Sequence, residues 1–257
     1  MRTTAKIIAL LLVLVSLAGP SATAPVAASP AAETTASAST ATSSVSTKPV
    51  LFYGDSILWQ ASGNVAFAFA QARQSVKVQA FGGTALCDWV PAIRTALAAK
   101  SKPSVVALSF SGNYVTPCTG AAGSTPGPKP GTTGFYAHNR AAMDQIRSAA
   151  AEAKVPVVWV TPPPLGSTSS DHLEVFESMA ERRGFRIVDA GNAVTSNPDR
   201  FVSTMTCRSD EGASRGCQSG RIRVRADDKV HFFVTKNGYS SGGRRWAEAT
   251  VRGVTGR

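Results

Sequence analysis

A serine, an acid–histidine pair and two candidate amide donors recur in this chain at places where they can act on one substrate. Ser56 follows the apolar run Val50 to Tyr53 and the turn residues Gly54 and Asp55. A buried strand, a tight turn and a helix would set its hydroxyl at the carboxyl end of a sheet strand, where open α/β sheets bind ligands. Helix amides beside it would favour developing negative charge. On this stretch alone, an ordinary helix N-cap is the simpler reading of Ser56. A serine nucleophile also needs a base, and the base needs an acceptor that fixes its tautomer. The chain has 3 histidines. His138 lies inside a helical pattern and reads as a surface residue. His172 follows Asp171 at a helix start and reads as part of a cap. His231 ends Asp228-Lys-Val-His231, where one short turn carries both an acid and an imidazole. Gly83 and Asn113 each follow an apolar, strand-like run, so both fall on the sheet edge expected for Ser56. Glycine lets a backbone N–H approach closely, and asparagine brings a side-chain amide donor. Each alone reads more simply as a turn residue.

A second serine motif competes. Gly238-Tyr-Ser240-Ser-Gly242 has the G-x-S-x-G spacing of a nucleophile elbow. That device needs an acid and a histidine later in the chain, and no histidine follows Ser240. The stretch is better read as a loop into a last helix, with Ser240 or Ser241 as its cap.

The elements that must position these residues alternate. Strand-like runs cover 50–53, 76–81, 105–110, 155–160 and 185–188. Helical patterns cover 57–73, 88–100, 135–153, 171–183 and 239–252. Such alternation predicts an α/β fold of parallel strands joined by right-handed crossovers. Runs without alternation of polar residues suit a sheet covered on both faces. Two stretches break the rhythm. Residues 116–134 are rich in Gly, Pro, Thr and Ser and follow the third strand, as a lid or binding loop would. Their lack of large apolar residues favours a short acyl group or a polar substrate. Residues 202–226 hold Cys207, Cys217, Arg221, Arg223 and Arg225 just before Asp228. A bridge there would either steady the acid–histidine turn or simply stabilise a long excursion, by about 2–3 kcal/mol.

Taken in order, Gly54-Asp55-Ser56, Gly83 in Phe-Gly-Gly-Thr, Ser111-Gly112-Asn113 and Asp228-x-x-His231 resemble the four blocks of the SGNH (GDSL-type) hydrolases, over residues 49–257. The resemblance implies a three-layer α/β/α, flavodoxin-like fold with about five parallel strands in the order 2-1-3-4-5. It implies Ser56 as nucleophile, His231 as base and Asp228 as the residue that orients His231. It implies an oxyanion hole from the backbone N–H groups of Ser56 and Gly83 and the side chain of Asn113. Gly83 is preferred to Gly82 because it directly precedes Thr84. Asp55 is read as a turn residue. No metal or cofactor is implied. The implied activity is cleavage of acyl esters, short-chain or acetyl, through an acyl-enzyme. The chain is also similar to secreted actinobacterial esterases. It resembles the extracytoplasmic SGNH domains of bacterial acyltransferases too, through the contexts of Cys87 and Cys118 and the Asp-x-x-His-Phe ending. Transfer of acyl groups on cell-envelope glycans is therefore the alternative, and a non-catalytic envelope-binding module the third reading.

Composition agrees with an exported domain. The 257 residues are 43% hydrophobic, enough for an ample core. Arg2 and Lys6, then an apolar run from Ile7 to Ala18 and small residues, predict a signal peptide over 1–28. The run is too short to span a bilayer, and no later segment reads as transmembrane. Residues 29–48 are almost all Ala, Ser, Thr and Pro and are expected to form a disordered linker. The remaining domain, 49–257, is expected to be secreted or envelope-associated and monomeric, acting on an ester substrate such as an acylated envelope glycan or lipid. The formal charge of +11 suits anionic surfaces. Nucleic acid is not expected, because no aromatic residues interleave with the basic ones. The 4 cysteines, Cys87, Cys118, Cys207 and Cys217, suggest two disulfides rather than a zinc site, since no Cys-x-x-Cys occurs. Three pairings are open; the nearness of Cys207 to Cys217 favours that bridge together with Cys87–Cys118.

Overall fold

Apolar runs that are buried on both faces have no use for polar alternation, and the runs of this chain do form such strands. The computed structural model describes residues 46–122, 125–166 and 171–256. The expected signal peptide, 1–28, and the expected linker up to residue 45 lie outside the described residues. β1 (Ser46–Gly54) leads into α1 (Ser56–Gln71), then β2 (Gln74–Ala80), α2 (Leu86–Ala98) and β3 (Val105–Ser109). The chain continues through α3 (Thr133–Ala153), β4 (Val157–Val160), α4 (Asp171–Glu181) and β5 (Arg186–Val188). These strands form one parallel sheet in the order β2-β1-β3-β4-β5. A short antiparallel hairpin follows, β6 (Thr204–Thr206) with β7 (Arg221–Arg223), and α5 (Ser241–Thr255) closes the fold.

The period of two along each strand divides the core. Leu51, Tyr53, Leu108 and Trp159 pack with Val90 and Ile93 of α2, Met143 and Ile146 of α3 and Phe176 of α4. Phe52, Ala107, Val158 and Val160 pack on the other face with Leu58 and Val65 of α1 and Trp246 and Val251 of α5. Helices thus cover both faces of the sheet. Because α1 and α3 leave β1 and β3 on opposite sides, the chain reverses its winding between these two strands. A crevice opens beyond their carboxyl ends, the ligand site of doubly wound sheets. Gly54 ends β1 there. A Cβ at this position would stand 2.6 Å from the Ser109 carbonyl and 2.7 Å from Leu58 Cβ, so only glycine lets β1, β3 and α1 meet this closely.

Element boundaries shift from those expected, each for a local reason. β1 starts at Ser46 rather than Val50, inside the stretch expected as linker. Ser46 pairs with Gln74, and Gln74 Nε2 donates to the Lys48 carbonyl, so strand pairing and a side-chain hydrogen bond rather than apolar burial hold this part. Phe81 and Phe110 lie just past β2 and β3. α3 takes Thr133 and Gly134 from the expected 116–134 loop, because the Thr132 hydroxyl accepts from Phe135 N at 3.3 Å. Ser240 caps α5, its hydroxyl accepting from Gly243 N. Disulfides join Cys87 to Cys118 and Cys207 to Cys217, with Cα separations of 5.8 and 6.0 Å. The first ties the start of α2 to the turn after Asn113; the second closes the β6–β7 excursion. Among the described residues, no helix is long and apolar enough to cross a membrane.

Candidate active site

Asp55, not Ser56, caps α1. Its Oδ1 accepts from Ile57 N at 3.0 Å, which leaves Ser56 as the first helical residue with its hydroxyl free for other partners. The other carboxylate oxygen of Asp55 accepts from both the backbone N–H (2.6 Å) and the hydroxyl (2.7 Å) of Ser111. One buried carboxylate thereby fixes the end of β1 to the Ser111-Gly112-Asn113 turn. Burial pushes the Asp55 carboxyl up from its ordinary range, against the opposing pull of the Ser111 and Ile57 hydrogen bonds. The residue expected as a simple turn former is therefore an anchor of the site, because its two oxygens satisfy groups from α1 and from the turn after β3.

The Ser56 hydroxyl lies 2.8 Å from His231 Nε2, and His231 Nδ1 lies 2.6 Å from Asp228 Oδ2. Asp228 Oδ1 accepts from the backbone N–H groups of Val230 and His231, both at 2.9 Å. Burial pushes the Asp228 carboxyl up, but the hydrogen bonds from the His231 backbone, the His231 ring and the Val230 backbone outweigh it and hold it at about 2. The carboxylate is thus ionised at neutral pH and can only accept, so the ring proton sits on Nδ1. Nε2 then carries a lone pair, and the Ser56 hydroxyl donates to it. This is the geometry a general base requires.

The turn that carries this pair continues β7. Ala226 N donates to the His231 carbonyl at 2.9 Å, and Arg225 pairs with Phe232 in a short antiparallel bridge. Gln60, one helical turn beyond Ser56, grips the same segment. Its Nε2 donates to the Phe232 carbonyl at 3.0 Å and its Oε1 accepts from Phe232 N at 2.7 Å. α1 therefore holds both the serine and the backbone next to the histidine. The three spaced arginines do not form a basic patch. Arg221 donates to Thr204, Arg223 pairs with Asp227, and Arg225 is buried between the rings of Phe201 and Phe232. Arg225 Nη2 donates to the Val230 carbonyl inside the turn. Burial pushes its guanidinium down to about 10, partly offset by the charge of Asp228.

The candidate amide donors lie on two loops that a hydrogen bond joins. Phe81 to Thr84 form a turn in which Thr84 bonds back to the Phe81 carbonyl, and Gly83 takes the third position with φ of 79°. Turns of this kind favour glycine there. A Cβ on Gly82 would lie 4.0 Å from Ser56 Cβ, so the turn borders the nucleophile. Asn113 Nδ2 donates to the Thr84 carbonyl at 3.0 Å, joining its own turn to this one. One of the two Asn113 amide hydrogens is used in this way, and an amide has a second to offer. Trp89 Nε1 steadies the turn from α2 by donating to Thr84 Oγ1 at 3.0 Å. Thus Ser56, Asp228 and His231 form one hydrogen-bonded chain, with Gly83 and Asn113 on the loops around it.

The other histidines are placed elsewhere. His138 is partly buried on α3. The His172 ring, at the start of α4, is buried, with Nε2 2.9 Å from the Ser111 carbonyl and Phe135 and Phe176 edge-on to it. It supports the Ser111-Gly112-Asn113 turn from behind; a Cβ on Gly112 would stand 2.9 Å from the ring. Gln60 and Arg225 were not singled out by sequence reasoning for the site. Gln60 had one usable signal, a polar side chain spaced i+4 from Ser56 in an otherwise apolar helix turn. Among the described residues, no group of three or more His, Cys, Asp or Glu is arranged to hold a metal ion.

The fold has known relatives at low identity. The C-terminal catalytic domain of Streptococcus pneumoniae peptidoglycan O-acetyltransferase A superposes with a TM-score of 0.52 at 13% identity, over 81% of this chain and 93% of that one. LAE5, an alpha/beta hydrolase enzyme from the metagenome of Lake Arreo, Spain, superposes with a TM-score of 0.50 at 15% identity, over 81% of this chain and 95% of that one. Identity this low establishes a shared architecture, the SGNH hydrolase fold with its five-stranded parallel sheet. No curated protein matches the sequence. A family model does match, over residues 49–246, from β1 into α5. The chain, with its SGNH hydrolase fold, belongs to the family described as protein of unknown function (DUF459).

Proposed function

We propose that this protein is an exported serine hydrolase that cleaves short-chain or acetyl esters through an acyl-enzyme on Ser56. The observation that carries this is the unbroken hydrogen-bonded chain from Ser56 through His231 to Asp228, at the crevice end of the sheet. His231 Nε2 takes the proton as Ser56 Oγ attacks the ester carbonyl. Asp228 holds the ring in its tautomer and stabilises the imidazolium that forms. The Ser56 and Gly83 backbone N–H groups, with the Asn113 amide, stabilise the tetrahedral oxyanion. His231 returns the proton to the leaving alcohol, and water then repeats the sequence to release the acid. Export is supported by the basic–apolar start of the sequence and by the two disulfides.

A second reading follows from the fold shared with the peptidoglycan O-acetyltransferase A domain. A sugar hydroxyl in place of water would turn the same acyl-enzyme into an acyl donor. Purified full chain is assayed against p-nitrophenyl esters of increasing acyl length, with and without an oligosaccharide acceptor, beside Ser56→Ala and His231→Ala. Hydrolysis that each substitution lowers by at least about 10⁴-fold is expected, with the highest rates on the shortest esters. Acylated oligosaccharide would establish transfer. Mutants as fast as the parent would end the assignment of Ser56 and His231. A folded parent inactive on every ester would leave the binding-module reading.

A further inference from the structure

Five large apolar side chains stand exposed among the described residues, and four of them cluster, by chain position, at the candidate active site. Trp59 (60% exposed) lies three residues after Ser56, and Phe81 (67%) two before Gly83. Val115 (60%) lies two after Asn113, and Val234 (42%) three after His231. The residues they flank are joined around one centre by the Ser56–His231 and Asn113–Thr84 hydrogen bonds. The four residues therefore lie on the segments that meet at the nucleophile, an apolar collar in chain position. The fifth, Phe67 (61%), extends the apolar surface along α1. The exposed positions of that helix are Trp59, Gly63, Ala66, Phe67, Ala70 and Gln71, and its 16 residues carry no charge at all. In a chain of net charge +11, an uncharged outer helix face leading to the site is a marked departure. The segment around His231 carries exposed charges of both signs, Asp227, Asp228, Lys229 and Lys236, within the net charge of +11.

We propose that this collar docks the protein on an anionic lipid surface, and that the ester attacked by Ser56 is presented by that surface. The inference rests on the acyl-hydrolase reading. Continuity with the site selects this occupant. A second copy of the chain, or any protein seated on the collar, would cover the nucleophile, whereas a lipid aggregate can itself carry the substrate. Val115 and Val234 offer a glycan no hydrogen-bonding group, whereas both suit an apolar boundary. Tryptophan and phenylalanine are suited to the headgroup boundary, and the net charge of +11 adds attraction to anionic lipid. Docking and acyl selection are separate: the collar sets where the protein works, while the cleft sets which acyl group it accepts.

The Ser56→Ala full chain, which leaves vesicles intact, is sedimented with vesicles of phosphatidylcholine and with an equal mixture of phosphatidylcholine and phosphatidylglycerol. It is expected to pellet with the mixed vesicles. Adding Trp59→Ser and Phe81→Ser is expected to weaken partitioning by about tenfold or more. In the Ser56 parent, Trp59→Ser alone should leave hydrolysis of soluble p-nitrophenyl acetate within about twofold. Protein that stays in the supernatant with both vesicle types overturns the proposal. So does undiminished partitioning of the Trp59/Phe81 variant, which would assign binding to the basic surface alone. A dimer in solution that Trp59→Ser dissociates also overturns it, by giving the collar to a second copy. Partitioning requires no catalysis, so it stands or falls apart from the hydrolase reading, which the ester assay decides.

Discussion

Asp55 and Ser56 are neighbours in sequence, yet α1 separates their roles by one position. Had Ser56 been the cap, its hydroxyl would have been committed to a helix amide. Because Asp55 takes that bond, the Ser56 hydroxyl can face His231. The sequence could not separate the two, since Asp and Ser are both good caps; the geometry of Ile57 N does. Asp228 and His231 were easier to read because both partners lie on one turn. Gln60 was hard to read, because its partner is the backbone of Phe232, 172 residues away. It yields a prediction at this scale. Gln60→Met keeps the helix and removes both bonds to Phe232. Stability should fall by about 1–3 kcal/mol. The kcat should fall about tenfold, with KM within twofold, because His231 loses its register against Ser56 rather than its contact with substrate. Thermal melts and ester kinetics on the same preparation check this. A lower melting temperature with unchanged kcat would leave Gln60 a purely structural role.

Among elements, the central strands were legible because Val50–Tyr53, Val105–Leu108 and Val157–Val160 are unbroken apolar runs that suit burial on both faces. The β6–β7 excursion was legible only as a departure from that rhythm. Its architecture depends on charges far apart in sequence. Glu211, inside the Cys207–Cys217 loop, is buried against Arg245 of α5 and also accepts from Arg208 N and the Ser241 hydroxyl. Burial pushes the Glu211 carboxyl up, but the bonds from Arg245, Arg208 and Ser241 prevail and hold it at about 2, below its ordinary 4.5. A depressed folded-state value means that the ionised form stabilises the fold. That contribution is fully present above pH 4.5 and is lost as pH falls towards about 2. Glu211→Gln should therefore melt lower than the parent at neutral pH, by an amount equivalent to about 3–5 kcal/mol. The gap should narrow as the pH falls through that window. Melting temperatures taken from pH 7 to pH 2 read it directly, and a constant gap would show that Glu211 does not titrate with folding.

At the scale of the whole molecule, the alternation of strand and helix implied an α/β sheet, while the 2-1-3-4-5 strand order came with the family resemblance. The amino-terminal edge of the folded unit was not legible. Ser46, Thr47, Lys48 and Pro49 have the polar composition of the Ala/Ser/Thr/Pro-rich stretch before them, so hydropathy marks no boundary there. The pairing of Ser46 with Gln74 and the bond from Gln74 Nε2 to the Lys48 carbonyl nevertheless include them in β1. On the side of Ser46–Lys48 both engage only the backbone, so the composition of these residues does not announce them, and they brace β2 at the edge of the sheet. A chain beginning at residue 43 keeps them, whereas one beginning at residue 49 loses both and leaves the start of β2 without its partner. The shorter chain should be less stable by about 1 kcal/mol, a fall of about 2–4 °C in melting temperature for a domain of this size. Amide hydrogen exchange should localise the loss to 74–77, at the start of β2. Equal melting temperatures and equal protection of those amides would show that Ser46–Lys48 contribute nothing, and that the fold begins where the apolar run does, at Val50.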